Sequence, residues 1–343
     1  MEKSARIKRT FSFRNYPLGK IVACVAISAF MIMMLIKPGY YLDSARRGLS
    51  LYATSVLPSL FPFYFFSLLL TYIGSAKVVS GIFQKPVRLL YNTPKESSYI
   101  LLLSMLSGYP VGASMTAELY KAGALTEKEA KAVAAFASTS GPIFILGTVG
   151  SAVFNDVRVG AVILAAHYAS ALLNGLIFRV RHNTRAKNKK IDLDFEKYPP
   201  IRISSSEDQD SLMSRTIANS TLNMLFVGGY IVLCGMLVDT LSLFNADALI
   251  ISALGETAGQ PVVALINGII EMTRGSIACA ECTQKNIGIA LCAGIISLGG
   301  LSVALQNFTF LSKCRMTFTQ IAVRKLTQSI IAFGLGFALS FAL

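Results

Sequence analysis

The chain has 343 residues, of which 53% are apolar and 15% charged, with a mean hydropathy of +0.57. Average soluble domains carry roughly a quarter charged residues, so a soluble globular, disordered or fibrous protein is excluded. The formal charge of +14 comes from 32 Lys+Arg against 18 Asp+Glu. In so apolar a chain, basic charge serves orientation in a bilayer rather than nucleic-acid binding.

A bilayer core of about 30 Å needs about 20 apolar residues per helix. The first predicted crossing is Leu18–Ile36, behind the basic start Lys3, Arg6, Lys8, Arg9, Arg14 and Lys20. With no small-residue cleavage site after it, it reads as an uncleaved span. Six more follow: Leu51–Ile73, about Lys131–Phe154, Val159–Val180, Ile217–Thr240, Ile287–Ser312 and Leu326–Leu343. Two other apolar segments are broken. Ser97–Lys121 is interrupted at Ser107-Gly108-Tyr109-Pro110-Val111-Gly112, and Gln260–Lys285 at Glu271-Met272-Thr273-Arg274-Gly275. Half-helices of about ten residues are too short to cross, so both read as re-entrant hairpins.

The basic residues test this topology. With a cytoplasmic N-terminus, 26 of the 32 Lys/Arg fall in the cytoplasmic pieces 1–20, 77–96, 121–131, 179–215 and 313–325. Only Lys37, Arg46, Arg47, Arg158, Arg274 and Lys285 remain. Turning one hairpin into a full crossing would invert everything after it and destroy the bias. The segment 183–215 is polar, carries Pro199-Pro200, and reads as a flexible cytoplasmic linker.

The linker separates two parts of like order. Residues 1–50 hold the basic N-terminus and the first span; 51–182 and 216–343 are the two repeats. Each repeat has a crossing, a broken hairpin, an interrupted crossing and a last crossing. The interruptions are Ser138-Thr139-Ser140-Gly141-Pro142 and Ser297-Leu298-Gly299-Gly300-Leu301-Ser302. Three crossings per half invert the second half relative to the first. The expected fold is therefore an all-α polytopic membrane protein. It is an inverted repeat in which each half has three crossings plus a re-entrant helical hairpin, with one extra N-terminal transmembrane helix. Such repeats with broken helices near the midplane are the usual build of secondary transporters.

The candidate solute site is assembled from the breaks: Ser107, Gly108, Tyr109, Pro110, Gly112, Ser138, Thr139, Ser140, Gly141, Glu271, Thr273, Arg274, Gly275, Gly299, Gly300 and Ser302. Broken helices leave unpaired N–H and C=O groups that bind polar solutes where water is absent. Arg274 reads either as an anion clamp or as half of an internal ion pair with Glu271. Glu118 and His167 are candidates for coupling to a proton or cation. Asn174, Asn223, Asn267 and Asn307 read as interhelical glue. Cys279-x-x-Cys282 lacks the second ligand pair a metal needs and reads as helix packing. No hydrolase or nucleotide-binding motif is present, so neither catalysis nor ATP-driven transport is expected.

Several of these stretches resemble the sporulation integral membrane protein YlbJ family, also called the stage V sporulation protein V family. They are Ser107-Gly108-Tyr109-Pro110-Val111-Gly112-Ala113, Ser138–Ile145, His167-Tyr168, Glu271–Gly275 and Gly299–Val303. The likeness covers about 50–180 and 217–343 and departs at Ala304, where a histidine is expected. That family is similar to the nucleoside-recognition, or gate, domain of concentrative nucleoside transporters. The resemblance implies transport of dipicolinate, a small aromatic dianion, across the outer forespore membrane during endospore formation. Other readings are a nucleoside or other small-solute transporter, or a non-transporting scaffold or solute sensor. The expected partners are a small anionic solute and the lipid bilayer of the cell (inner) membrane, with no nucleic acid. Self-association into a homo-oligomer is left open. No cofactor is expected, and the coupling ion, proton or sodium, is undetermined.

Overall fold

The computed structural model describes residues 18–73, 76–181 and 212–343. The basic start up to Arg14 and most of the expected linker lie outside the described residues. Among the described residues all regular structure is helical, and six helices are long and apolar enough to cross a membrane.

Helix α1, Leu18–Ile36, coincides with the first predicted span, and none of its apolar window is buried by protein. A helix apolar all round and uncovered needs lipid around it. Helix α2 is Pro38–Leu51, with its proline in the first turn, where no amide partner is lost. It runs through a π-helical stretch, Tyr52–Val56, into α3, Leu57–Tyr72. The second span therefore begins at Pro38 rather than Leu51, and Arg46 and Arg47 ride on a helix rather than in a loop. Helix α4, Ala76–Tyr91, occupies the region expected to be a cytoplasmic connection.

The first broken hairpin is α5, Glu96–Ser107, and α6, Val111–Lys121. Helix α7, Glu127–Phe136, starts at a capping box in which the Thr126 amide donates to Glu129 at 2.8 Å. It stops before Ser138, and a π-helical stretch, Phe144–Val153, continues the path. The expected crossing 131–154 is thus two ten-residue pieces on either side of the predicted interruption. Helix α8, Val157–Ile177, closes the half.

The second half has α9 (Leu212–Leu243), α10 (Ala246–Leu254), α11 (Glu256–Ile270) and α12 (Met272–Ala280). It ends with α13 (Lys285–Leu298), α14 (Gly300–Leu311) and α15 (Phe318–Ser340). Helix α15 begins well before the expected Leu326 because Thr317 and Gln320 form a second capping box, both bonds at 3.3 Å. That start places Arg324 and Lys325 on a membrane helix, where the sequence reading had them in a cytoplasmic loop.

Packing repeats as the order of parts does. Helix α4 lies on α5 as α10 lies on α11; α5 meets α7 as α11 meets α13; α7 packs on α8 as α13 packs on α15. Between halves the contacts are reciprocal. Helix α3 meets α9, and α8 meets α15. Helix α13 reaches α8 as α7 reaches α15, and α14 meets α6 as 144–153 meets α12. Paired reciprocal contacts are the mark of an approximate two-fold relation. The outward faces of α9 and α15 expose Leu225, Phe226, Leu233, Ile330 and Phe333, an apolar surface suited to lipid.

Candidate functional site: the paired helix breaks

In the first half, Gly108 and a cis Tyr109–Pro110 bond separate α5 from α6. Gly108 has φ +79°, and a Cβ there would stand 2.5 Å from the Gly141 nitrogen. The hairpin tip therefore lies directly on the break between α7 and 144–153, which only glycine permits. The tip is bonded by hydroxyls. Ser107 donates to the Phe63 carbonyl at 3.2 Å and pairs with the Ser67 hydroxyl. Ser104 and Thr139 hydroxyls lie 2.9 Å apart.

The second half repeats the contact with its parts exchanged. Gly300, φ +65°, opens α14, and a Cβ on it would meet the Gly268 carbonyl at 2.7 Å, just before the tip at Glu271. Glu271 is 1% exposed and caps α12, accepting the Arg274 amide at 2.8 Å. This corrects one alternative of the sequence reading. Glu271 holds the backbone of Arg274, while the Arg274 guanidinium binds Asp239 on α9. Arg47 of α2 binds the other oxygen of Asp239 at 2.8 Å. Asp239 is 7% exposed, against 49% for Arg47 and 29% for Arg274. Two guanidiniums thus share one buried carboxylate.

His167 joins the halves. It is fully buried; Nε2 accepts the Ser140 amide at 2.9 Å, so the ring proton sits on Nδ1 and goes to the Ser297 hydroxyl at 2.7 Å. One imidazole therefore ties the interruption of the first half to that of the second. Asn307 donates to the Ser138 hydroxyl at 3.2 Å, and Asn174 to the Ala135 and Arg324 carbonyls at 2.8 and 3.1 Å. These are interhelical bonds, as expected of such residues.

Two cavities border this assembly. The first, about 30 Å³, lies between the halves and is lined by Tyr109, Ser140, Glu271, Thr273, Ser302 and Gln306 within an apolar wall. It has room for about one water. The Ser302 hydroxyl is buried there without a hydrogen-bond partner. The second, about 350 Å³, is lined by Arg47, Ser50, Thr54, Glu271 and Arg274. That volume suits a small solute. Glu271 and Ile231 line both cavities.

Of the sequence-derived residues, Tyr109, Ser140, Glu271, Thr273 and Ser302 meet at the central cavity, and Arg274 at the larger one. Gly108, Gly112, Gly141, Gly275 and Gly300 shape the breaks by close backbone approach, as at Gly112, where a Cβ would overlap the Ala137 carbonyl at 1.7 Å, while Gly299 faces the Val303 side chain. Ser107, Pro110, Ser138 and Thr139 brace the tips without lining either cavity. Glu118 is buried on α6 with Lys121 at 3.8 Å, away from both cavities.

Sequence reading missed Asp239, Gln306 and Lys325. Asp239 had a signal, as an acid inside an apolar span. Lys325 is 3% exposed and donates to the Tyr109 hydroxyl at 2.7 Å and to the Ser138 carbonyl and Gln328 Oε1 at 3.0 Å. The Thr317-x-x-Gln320 box upstream was its readable clue.

The chain is similar to the sporulation integral membrane protein YlbJ of Bacillus subtilis (strain 168). The two are 27% identical over 337 residues, covering 92% of this chain and 82% of that protein. This likeness supports the YlbJ family assignment. No family model and no solved structure matches the chain. Together with the apolar helices, an integral membrane relative of such coverage supports a multi-pass membrane protein.

Proposed function

We propose that the chain is a secondary-type transporter of a small anionic, aromatic solute, with dipicolinate as the leading candidate, acting at the membrane during endospore formation. The relative's name supports the sporulation setting. The observation that carries the transport reading is the meeting of all four helix breaks between the halves, beside a 350 Å³ cavity bearing Arg47 and Arg274. Two guanidiniums match two carboxylates of a dianion. Asp239 pairs with both in this structure.

The mechanism follows from the repeat. The central cavity is nearly closed and the larger one lies on the Arg47 side, so this is a state with its solute space on one side. Rocking of the halves would carry the solute past Glu271 and open the opposite side. The charge bias supports the orientation, with the N-terminus cytoplasmic and Arg47 and Arg274 on the far side. Ion pairs agree: Glu127 bonds Lys131 at 2.7 Å and Arg315 at 3.9 Å, joining two segments both read as cytoplasmic. In this reading the chain is no enzyme and holds no cofactor, and its location is the cell (inner) membrane, the outer forespore membrane when sporulating.

Dipicolinate flux in proteoliposomes carrying the purified chain, with a nucleoside as control solute, tests the reading. Flux of dipicolinate alone is the expected result. Nucleoside flux alone would move the substrate to the second class. Flux of neither would favour a scaffold or sensor.

A further inference from the structure

Lys325 is a buried basic side chain that pairs with no acid among the described residues. A buried ammonium costs several kcal/mol unless its surroundings replace water. Among the described residues no carboxylate lies within 4.0 Å of it. Its partners are three neutral oxygens: the Tyr109 hydroxyl at the first hairpin tip, the Ser138 carbonyl at the first helix interruption, and Gln328 Oε1 one turn along α15. The Tyr109 ring also presents its face, with Nζ 4.7 Å from the centroid.

The hydrogen-bond partners match an ammonium. Tyr109 has one hydroxyl proton and donates it to the Ile296 carbonyl at 3.3 Å. Its oxygen is then an acceptor toward Lys325, as are the Ser138 carbonyl and Gln328 Oε1. Three oxygens at 2.7–3.0 Å match the three N–H donors of an ammonium. As an ammonium, the group surrounded by these oxygens is a monovalent cation.

Neutral carbonyl and hydroxyl oxygens at a broken helix are also the ligands with which membrane proteins hold Na⁺ and K⁺. We propose that the Lys325 ammonium is a tethered stand-in for an alkali-metal ion. It fills an oxygen-lined cation site where α15 of the second half meets both breaks of the first. Removing the side chain empties that site for Na⁺ or K⁺. The inference does not depend on the solute's identity or on transport itself. Combined with the transport reading, it means this position contributes no sodium coupling, because its cation cannot leave.

Thermal unfolding of the purified full chain in detergent, at fixed ionic strength in NaCl, KCl or choline chloride, tests this. The wild type should unfold at the same temperature in all three salts. Lys325→Ala should be less stable in choline chloride, and Na⁺ or K⁺ should restore about 2–4 °C by binding the native state. Lys325→Met, which fills the space without charge, should be equally destabilised and show no salt preference. Equal behaviour of Lys325→Ala in all three salts would overturn the proposal, as would a matching cation response in Lys325→Met or a cation-stabilised wild type. Should Lys325→Ala not survive extraction in choline chloride, recovery in NaCl or KCl supports the proposal, and loss in all three salts overturns it.

Discussion

The two hairpin tips meet the same geometric need with opposite chemistry. The first tip, Ser107 to Pro110, is neutral; it is bonded by serine hydroxyls and by Lys325 reaching in from the other half. The second tip carries its own charges, with Glu271 capping α12 and Arg274 turned outward to Asp239 beside the large cavity. The repeated packing holds both tips in like positions, so chemistry has diverged on a shared frame. The first tip is built as a sealed joint, and in the proposed transport reading the second is a surface for a charged solute.

The largest effect should come from breaking the joint itself. Gly108→Ala puts a Cβ 2.5 Å from a backbone nitrogen at φ +79°, and should cost about 4 kcal/mol or more. Gly123, φ +73° with open space around it, is the matched control, at about 1–2 kcal/mol for Gly123→Ala. The yield and thermal midpoint of the detergent-purified variants measure both. Similar losses would mean that close packing at the tip contributes little.

Next comes the bond between halves. His167→Ala leaves the Ser140 amide and the Ser297 hydroxyl without their buried partner, and should destabilise by about 3 kcal/mol. An unchanged thermal midpoint would show that the imidazole is not the tie.

The second tip should respond in binding rather than folding. Arg274→Ala is expected to weaken dipicolinate binding roughly tenfold to a hundredfold, the worth of a hydrogen bond to a charged group, with membrane insertion intact. Wild-type affinity in that variant would remove the clamp. Asp239→Asn should act in the opposite direction, since it weakens the resident competitor for both guanidiniums. Isothermal titration of the two variants side by side distinguishes a clamp from a mere brace. The smallest effect belongs to the exposed pair Arg46–Asp43 at 3.0 Å: Asp43→Ala should change neither the thermal midpoint nor binding measurably.

Much of the frame was legible in the chain. The first span matched to the residue because hydropathy over about 20 positions is a local property. The breaks at Gly108 and Pro110 and at Ser138–Gly141 were legible because glycine and proline interrupt a helix wherever they fall in it. Starts of helices were read less well. Pro38 and the Thr317-x-x-Gln320 box both mark an N-terminus, yet the apolar windows begin later, so α2 and the first turns of α15 lie outside the predicted spans.

What the sequence determined by itself was a basic-flanked, all-helical chain in two like halves, with its polar breaks at known positions. Only the tertiary structure decided which charges meet. Lys325 and Tyr109 are 216 positions apart, and Arg47 and Asp239 are 192 apart. Hydropathy and turn propensity act over a few neighbouring residues. The partner of a buried charge is set by how helices distant in sequence pack. The same lysine that counts toward orientation in a linear tally therefore becomes, once α15 is docked, a buried side chain held between the two halves.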